Sequence, residues 1–405
     1  MEFRNQVIML PHSLFSFTSI LFAVLALVGC AGLPVHGSIE GQPIDSRVDS
    51  EVARYYVENY LADKRVDATL DQRIDQLYQN GNGTLPNRDE LKKLSDEFSV
   101  DFAALYMADR IGRVPINREF RRAFDQAYDY AREAYPKGQV KLPEAAANYE
   151  VLFVPTYLYK RLVFTGSDMA VPREALTKVG FLCSFVETID DGTIEANAEI
   201  IAAAIRARAQ SGRRLVLVSA SKSGAEVALA LTRMNPAETR HVAVWLNAVG
   251  ALQGTPLIDE GVLTEVEWIV GKVDPEGVKS LTAARSRERF KSFHIPESIL
   301  VVNYFGIPTI GSISFMARPG FFPLRKHGPN DGLILLPDMI FPGGVTVAQL
   351  GRDHIEVNVK LETTAVALAI TMINWLENEP PHDQPCPADG VQVKDGTTAD
   401  CASAG

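Results

Sequence analysis

Two patterns of apolar positions divide the chain near residue 140. Over 48–140 the apolar side chains recur three or four positions apart, which predicts a run of amphipathic helices. Over 141–377 short apolar runs alternate with amphipathic stretches. This alternation is typical of a mainly parallel sheet flanked by helices. We therefore predict an N-terminal helical unit over 48–140 and an α/β domain over 141–377.

The α/β domain contains five predicted strands and three long predicted helices. The strands are 149–154, 180–186, 215–219, 242–247 and 299–305, and the helices are 194–210, 224–234 and 362–376. Residues 248–329 are predicted to form an insertion or lid region above the sheet. Five rings of this region either shape an apolar pocket or pack the insertion itself: Phe290, Phe293, Phe315, Phe321 and Phe322.

Capping residues mark the beginnings of two helices in the helical unit. Thr69, three residues before Gln72, fits a capping box, and Asn87 is expected to cap the next helix. The aromatic side chains of this unit recur at helical spacing. Such stripes are far more often core than ligand contacts.

The N-terminus carries an apolar stretch from Leu14 to Val28 that ends in the sequence Leu-Val-Gly-Cys-Ala. This stretch resembles the signal peptide and lipobox of bacterial lipoproteins, which implies a signal peptide over 1–29 and lipidation of Cys30. A transmembrane anchor is the alternative, but about fifteen residues fall short of the roughly twenty needed to span a bilayer. The resemblance implies a cell-envelope protein, on the outer membrane or periplasmic face rather than in the cytoplasm.

The segments flanking the two units are polar and lack a periodic apolar pattern. Residues 30–47, rich in Gly, Pro and Ser, are expected to form a flexible spacer behind the lipidated cysteine, and 378–405 a disordered tail. Cys386 and Cys401 in the tail could pair in an oxidising compartment, which the sequence leaves open. Cys183 lies in an apolar run and is expected to be a buried thiol.

Charge and composition exclude several classes of protein. The chain carries ten net negative charges and no dense run of Lys or Arg, so it is a poor match to nucleic acid. No spacing of Cys, His, Asp or Glu fits a metal site, and no nucleotide-binding fingerprint is present. We therefore expect no cofactor and no metal.

The segment from Leu215 to Gly224 carries the main candidate for chemistry. It is an apolar strand followed by Ser219-Ala-Ser-Lys-Ser223-Gly and an Ala-rich helix, which places Ser221 at a sharp turn. The segment resembles the G-x-S-x-G nucleophile elbow of α/β-hydrolases, with Ser219 and Ser223 where that family usually has glycine. The resemblance implies that Ser221 is the nucleophile of an α/β-hydrolase.

The order of residues along the chain supports a catalytic triad of this family. An Asn-Asp-Gly sequence places Asp331 after the strand at 299–305, and His354 precedes the last helix, where the family has its acid and its histidine. A turn and a surface histidine would explain these residues individually. His327 is a rival to His354, but it lies in the same loop as Asp331.

The resemblance also implies two backbone donors for an oxyanion. They are the NH of Lys222, directly after the nucleophile, and an NH in the loop after the strand at 149–154, here Tyr157. The chain is thus predicted to be a serine hydrolase of the esterase or lipase type, acting on an ester with an apolar acyl group. The alternative is a catalytically inactive lipoprotein that keeps the scaffold to bind a ligand or envelope partner.

Overall fold

The computed structural model describes residues 32–80, 84–261, 272–355, 357 and 359–378. The predicted signal peptide, the lipidation site Cys30 and the tail beyond Asn378 lie outside these residues, as do Cys386 and Cys401. Among the described helices, none is both long enough and apolar enough to cross a membrane.

Eight strands are present in the described residues. The first two are β1 (Leu33–Ile39) and β2 (Gln42–Val48), which pair antiparallel. The others form one parallel sheet in the order β4-β3-β5-β6-β7-β8. They are β3 (Tyr149–Val154), β4 (Leu182–Phe185), β5 (Arg214–Ala220), β6 (Val242–Ala248), β7 (Leu300–Ile307) and β8 (Val345–Leu350).

The helices surround this sheet. The helices that precede β3 in the chain are α1 (Glu51–Tyr55, continued by a π-helical turn Tyr56–Tyr60), α2 (Ala68–Asn80), α3 (Arg88–Glu97), α4 (Val100–Arg113) and α5 (Pro115–Ala134). The helices that follow β3 in the chain are α6 (Ala170–Val179), α7 (Ile194–Arg208), α8 (Lys222–Arg233), α9 (Pro236–Thr239), α10 (Pro256–Asp259), α11 (Pro275–Lys279), α12 (Ala283–Phe290), α13 (Arg318–Leu324) and α14 (Leu361–Asn378). The predicted α/β class is confirmed.

Both faces of the sheet are covered. All six residues of β3 are buried, and side chains of one strand point alternately to opposite faces, so burial of all six requires cover on each side. Helix α14 packs against α5 and against α6, and α7 packs against α8. One continuous apolar core includes residues of both the sheet and helices α1 to α5. The helical unit is therefore packed into the same core as the α/β domain.

The structure corrects one helix start and adds one strand. Helix α2 begins at Ala68 rather than after Thr69, because the Asp67 carboxylate accepts the NH groups of Thr69 and Leu70 at 3.1 and 3.0 Å. The predicted strand at 299–305 is present as β7 and divides the region 248–329 into two segments, whereas β8 was not predicted. The cap at Asn87 is present, with the reciprocal bond from Glu90.

The predicted flexible spacer over 30–47 is wrong, because residues 33–48 form the β1–β2 hairpin. Its turn has positive φ at Glu40 (48°) and Gly41 (81°), the conformation of a type I′ turn. Four side chains on one face are buried in the core: Val35, Ile39, Ile44 and Val48. Two prolines hid this alternation from sequence analysis, and a two-stranded ribbon tolerates them because each strand has an unpaired edge.

A buried charged cluster attaches the hairpin to the body. Directly after β2, the backbone NH of Asp49 donates to the Asp101 carboxylate at 2.9 Å. The same carboxylate accepts the NH of Ile310 at 3.1 Å and faces the guanidinium of Arg325 at 3.4 Å. Arg325 also pairs with Asp49. The cluster thus joins the hairpin, α4 and the loop after β7.

We expect this cluster to make stability depend on pH. Burial, with the neighbouring Asp49 carboxylate, raises the pKa of Asp101 to about 7. This pKa exceeds the value of about 3.9 that an Asp carboxyl has in the unfolded chain. The protonated Asp101 carboxyl therefore stabilises the folded state fully below pH 3.9, and this contribution is lost as pH rises through 7. The free energy of unfolding should fall by on the order of 2 kcal/mol between pH 5.5 and pH 8 through this group.

Urea denaturation of wild type and Asp101→Asn at both pH values checks this expectation. The Asn variant should lose that part of the pH dependence, since it has no carboxyl to titrate. Equal pH dependence in the two proteins would contradict the assignment.

Candidate active site

Ser221 lies alone between strand β5 and helix α8, with φ of 52° and ψ of −123°. Positive φ is strained for a residue with a side chain, and such strain is concentrated at functional positions. The turn places the serine at the carboxyl edge of the sheet, directly before the first turn of α8. That first turn offers NH groups without intrahelical partners.

Backbone hydrogen bonds hold Ser221 in this conformation. Its NH donates to the carbonyl oxygen of Ala248 at the end of β6, at 3.0 Å. Its carbonyl oxygen accepts the NH groups of Ala251 and Gly224, at 2.8 and 3.0 Å. The loop after β6 therefore fixes the turn from the neighbouring strand.

Helix α8 approaches that loop so closely that only glycine fits at position 224. A Cβ atom on Gly224 would lie 2.6 Å from Oδ1 of Asn247 and 2.9 Å from Cα of Gly250. Gly224, one position beyond the usual motif glycine, therefore provides the close contact between helix and neighbouring strand.

The two serines that replace the motif glycines are buried and hydrogen-bonded. The Ser223 hydroxyl accepts the NH of Ala220 at 2.9 Å and lies 3.1 Å from the carbonyl oxygen of Val154 at the end of β3. The Ser219 hydroxyl accepts the indole NH of Trp245 at 2.8 Å. These bonds tie the elbow to both neighbouring strands, so the departures from the family pattern have a structural role here.

His354 and Asp331 lie together, after β8 and β7 respectively. Nδ1 of His354 is 2.7 Å from Oδ2 of Asp331, and the His354 backbone NH donates to the Asp331 carbonyl oxygen at 2.9 Å. The other carboxylate oxygen accepts the NH groups of Leu333 and Ile334 at 3.0 and 2.8 Å. Because Nδ1 faces a carboxylate, the neutral imidazole carries its proton there, which leaves Nε2 as the proton acceptor.

Asp353, the residue before the histidine, joins this loop to the loop after β7 by a hydrogen bond. The buried carboxylate of Asp353 accepts the NH of Ser314, in the loop after β7, at 2.6 Å, and the NH of Ile355 at 2.9 Å. The histidine loop is thus bonded on one side to the Asp331 carboxylate and on the other to Ser314. Spacing along the sequence gives no means of finding this bond between Asp353 and Ser314.

The rival histidine has a different partner. Nε2 of His327 lies 2.6 Å from the carboxylate of Glu260, and this hydrogen bond lowers the pKa of Glu260 below its usual value. Asp331 is paired with His354 instead. The structure therefore brings together the histidine and the acid that the sequence favoured.

Ser221 and His354 line one cavity of about 350 Å³, here called the Ser221 cavity. It extends beside β5 to Val216, five residues before Ser221, a length of about 16 Å at the usual strand rise. Its volume is at the lower end of the range of about 300–1,000 Å³ typical of ligand sites. The walls are almost entirely apolar: Val151, Phe153, Val216, Val218, Leu246, Met169, Pro172, Leu176, Leu361, Leu368, Met372 and Ile373.

The walls of the cavity come mostly from the sheet, the loop after β3, α6 and α14, and the region 248–329 contributes Ala248, Val249 and Tyr304. Of the five phenylalanines considered there, none lines the described cavity. Phe290 and Phe293 contact each other, as do Phe321 and Phe322, and Phe315 is exposed. The helical unit contributes no wall residue either, so its aromatic side chains are core, as expected.

The two candidate oxyanion donors are backbone NH groups of different segments of the chain. Lys222 is the first residue of α8, and Tyr157 lies in the loop after β3 and lines the Ser221 cavity. The NH groups of Thr156 and Leu158, which flank Tyr157, donate to other carbonyl oxygens. Among the described residues we find no acceptor for the NH of Tyr157 itself. The structure is compatible with an oxyanion role for this NH, which remains a prediction.

The side chain of Lys222 is buried in an ion pair. Its ammonium pairs with Glu226, one turn further along α8, and Asn197 donates to the same carboxylate at 2.8 Å. The ring of Tyr157 lies 5.6 Å from the ammonium, and burial raises the pKa of its phenol. The charge of the ammonium is therefore balanced by a carboxylate of the same helix. Because the ammonium is held in this ion pair, Lys222 is a poor candidate for the general base of Ser221.

Strand order and loop positions together define the class of fold. A strained serine follows a central parallel strand, an acid follows a later strand, and a histidine follows the last one. This is the arrangement of an α/β-hydrolase-type fold. The chain has this fold.

Comparisons with known proteins were made by sequence and by structure. No protein-family model and no curated protein sequence matches the chain. A metagenomic carboxyl esterase, MGS0156, is similar in structure with TM-score 0.48 and 22% identity, over 59% of this chain and 77% of that one. The Bacillus licheniformis lipase BlEst2 in mature form is similar with TM-score 0.44 and 19% identity, over 55% of this chain and 92% of that one. The Legionella pneumophila phospholipase PlaB is similar with TM-score 0.41 and 15% identity, over 55% of this chain and 60% of that one.

We expect that restoring the family glycine at position 223 destabilises this protein. In Ser223→Gly, the partly buried NH of Ala220 loses its acceptor, and the carbonyl oxygens of Val154 and Ala220 lose the hydroxyl that lies 3.1 and 2.9 Å from them. An unsatisfied buried polar group costs about 1–3 kcal/mol, and a chemical denaturation curve should show a decrease of that size. Ser95→Ala, which removes a partly buried hydroxyl bonded only within its own helix, is the control. A variant as stable as wild type would show that the hydroxyl bridge is dispensable.

Proposed function

We propose that the protein hydrolyses carboxylic esters through an acyl-enzyme on Ser221. The observation that carries this proposal is the strained Ser221 in an apolar cavity that also contains His354, whose imidazole is bonded to the buried carboxylate of Asp331. A strained serine, an imidazole with its acceptor nitrogen available and a buried acid are the parts that nucleophilic acyl transfer requires.

In the first half of the reaction, Nε2 of His354 takes the proton of the Ser221 hydroxyl as its oxygen attacks the ester carbonyl carbon. The negative charge on the carbonyl oxygen is stabilised by the NH groups of Lys222 and Tyr157. The carbon–oxygen bond to the alcohol then breaks, and the imidazolium returns the proton to the leaving alkoxide. Water repeats these steps on the acyl-enzyme and releases the carboxylic acid.

Asp331 serves this chemistry through the histidine. Its carboxylate fixes the imidazole in the tautomer with the proton on Nδ1 and stabilises the imidazolium that forms. The two backbone donors at its other oxygen, Leu333 and Ile334, hold the carboxylate in place.

The cavity supports an apolar acyl group as the substrate class. A chain attached at Ser221 would run beside β5 among aliphatic side chains, where its burial is favourable. This supports the esterase or lipase type of hydrolase within the broader class.

The lipobox-like sequence supports export and attachment to a bacterial envelope membrane. We propose that residues 1–29 are removed as a signal peptide and that Cys30 is lipidated, on the outer membrane or periplasmic face.

A ligand-binding protein without activity is the competing hypothesis. Positive φ alone does not separate the two hypotheses, because other non-glycine residues such as Leu158 and Val249 share it. A binding protein would have no need of an imidazole held by a buried carboxylate in the cavity that contains Ser221, so this combination favours the enzyme.

Treatment with a fluorophosphonate probe tests the nucleophile. We expect stoichiometric labelling of wild type and none of Ser221→Ala, because the probe forms a bond only with an activated serine oxygen. Asp331→Asn, which favours the wrong imidazole tautomer, should lower the labelling rate by about 10³ to 10⁴-fold. Ser95→Ala, which removes a serine hydroxyl of helix α3 that does not line the cavity, is the control and should be labelled like wild type. A folded wild type that stays unlabelled would support the binding protein instead.

Hydrolysis of a series of 4-nitrophenyl esters tests the acyl cavity. Met372, on α14, lines the cavity beyond the residues nearest His354. In Met372→Trp the larger ring should shorten the cavity and lower kcat/KM for long acyl chains by at least about tenfold, while acetate and butyrate esters keep wild-type values. An equal decrease for all chain lengths would show that the acyl chain lies elsewhere.

A further inference from the structure

The first described residue lies against the loop that follows β7. The carbonyl oxygen of Gly32 accepts the guanidinium NH of Arg47 at 2.7 Å, and a Cβ atom on Gly32 would lie 2.9 Å from the side chain of Ile310. The backbone NH of Gly311 donates to the carbonyl oxygen of Arg47 at 3.1 Å. The start of the hairpin is therefore fixed at the carboxyl edge of the sheet.

This attachment limits the distance between Cys30 and the body. Gly32 is two positions after Cys30, so their Cα atoms are at most about 7–8 Å apart. A free spacer up to Arg47 would instead have allowed an average separation of more than about 20 Å. A lipid on Cys30 would thus hold the membrane surface close to the loop that contains Ile310.

The same loop carries two large apolar side chains in solvent. Phe315 is 65% exposed and Met316 is 55% exposed. They directly follow Ser314, whose NH is bonded to the Asp353 carboxylate beside His354. The exposed pair and the candidate catalytic histidine are therefore linked by one hydrogen bond.

Two further exposed apolar residues lie in loops that line the Ser221 cavity. Val163, 54% exposed, adjoins the wall residue Leu162 after β3, and Val359, 44% exposed, lies between the wall residues Val357 and Leu361 after β8. The loops of all four residues leave the carboxyl edge of the sheet, the edge where Ser221 lies. Phe315, Met316, Val163 and Val359 are called the apolar rim below.

We propose that the apolar rim inserts into the lipid layer to which Cys30 is attached, so that the Ser221 cavity takes its ester from that layer. The proposal rests on the proposed ester hydrolysis and on lipidation of Cys30. Exposed large apolar side chains in several loops at one edge of a sheet favour an interaction surface, and the short distance to Cys30 makes lipid the surface that this edge meets. Exposed lysines next to the rim, Lys160 and Lys360, fit the phosphates of lipid headgroups.

Vesicles distinguish contact with lipid from chemistry at Ser221. The full-length lipidated chain is reconstituted in phosphatidylcholine vesicles that contain a long-chain 4-nitrophenyl ester, and hydrolysis is compared with that of soluble 4-nitrophenyl butyrate. We expect Phe315→Ser/Met316→Ser to lower hydrolysis of the vesicle ester by at least about tenfold, because two inserting side chains are lost. Soluble butyrate should be hydrolysed at the wild-type kcat/KM within about twofold, since neither residue lines the cavity.

The matched control replaces two exposed apolar residues outside these loops. Leu182, at the amino end of β4, and Ile116, at the start of α5, are 46% and 45% exposed. Leu182→Ser/Ile116→Ser should retain wild-type hydrolysis of both esters. Equal loss in control and rim variants, unchanged vesicle hydrolysis in the rim variant, or a parallel loss on soluble butyrate would each overturn the proposal.

A spectroscopic measurement tests the lipid contact without any reference to activity. In Phe315→Trp, the additional tryptophan emission relative to wild type should shift to the blue in vesicles and be quenched by brominated lipid, whereas that of Leu182→Trp should not. A shift that depends on protein concentration without vesicles would indicate contact between copies and would overturn the proposal. If wild type hydrolyses no ester but the shift is present, the proposed activity fails while the lipid contact stands.

Discussion

The positive φ of Ser221 is the constraint on which the site depends. A single residue turns the chain from β5 into α8, and that turn exists only because the loop after β6 receives and donates hydrogen bonds around it. Helix α8 must then approach β6 so closely that Gly224 has no room for a side chain. The serine hydroxyls at 219 and 223 supply further bonds to the neighbouring strands. Strain at one residue is thus held by three adjacent strands.

The carboxyl edge of the sheet joins the remaining parts of the molecule. The loops after β7 and β8 contribute an acid and a histidine, and Asp353 bonds these loops to each other. The loop after β7 also receives the N-terminal hairpin through the Asp49, Asp101 and Arg325 cluster. Because parallel strands direct all their following loops to one edge, the candidate triad residues, the start of the N-terminal hairpin and the apolar rim come to lie on a single face.

Most of the elements were predictable because their apolar periodicity is local. The β5 run and the following Ala-rich stretch identify the elbow, and chain order, compared with that of α/β-hydrolases, selected Asp331 and His354. The hairpin was missed since Pro34 and Pro43 and its polar exposed face resemble a linker. Helix α6 and strand β8 were missed as well, so phenylalanines of the region 248–329 were considered for the cavity wall instead. Which helix covers a given part of a sheet face is a long-range property, and local patterns carry little information on it.

The sequence by itself determined the class of fold from short-range patterns, and its resemblance to α/β-hydrolases gave the residue at the elbow and the candidate acid and histidine. Only the tertiary structure decided that His354 pairs with Asp331 while His327 pairs with Glu260. It also decided that Gly32 lies against Ile310, so that a packed hairpin replaces the expected flexible spacer. The physical reason is that hydrogen bonds and packing between distant segments depend on the three-dimensional path of the chain, to which spacing along the sequence is no guide.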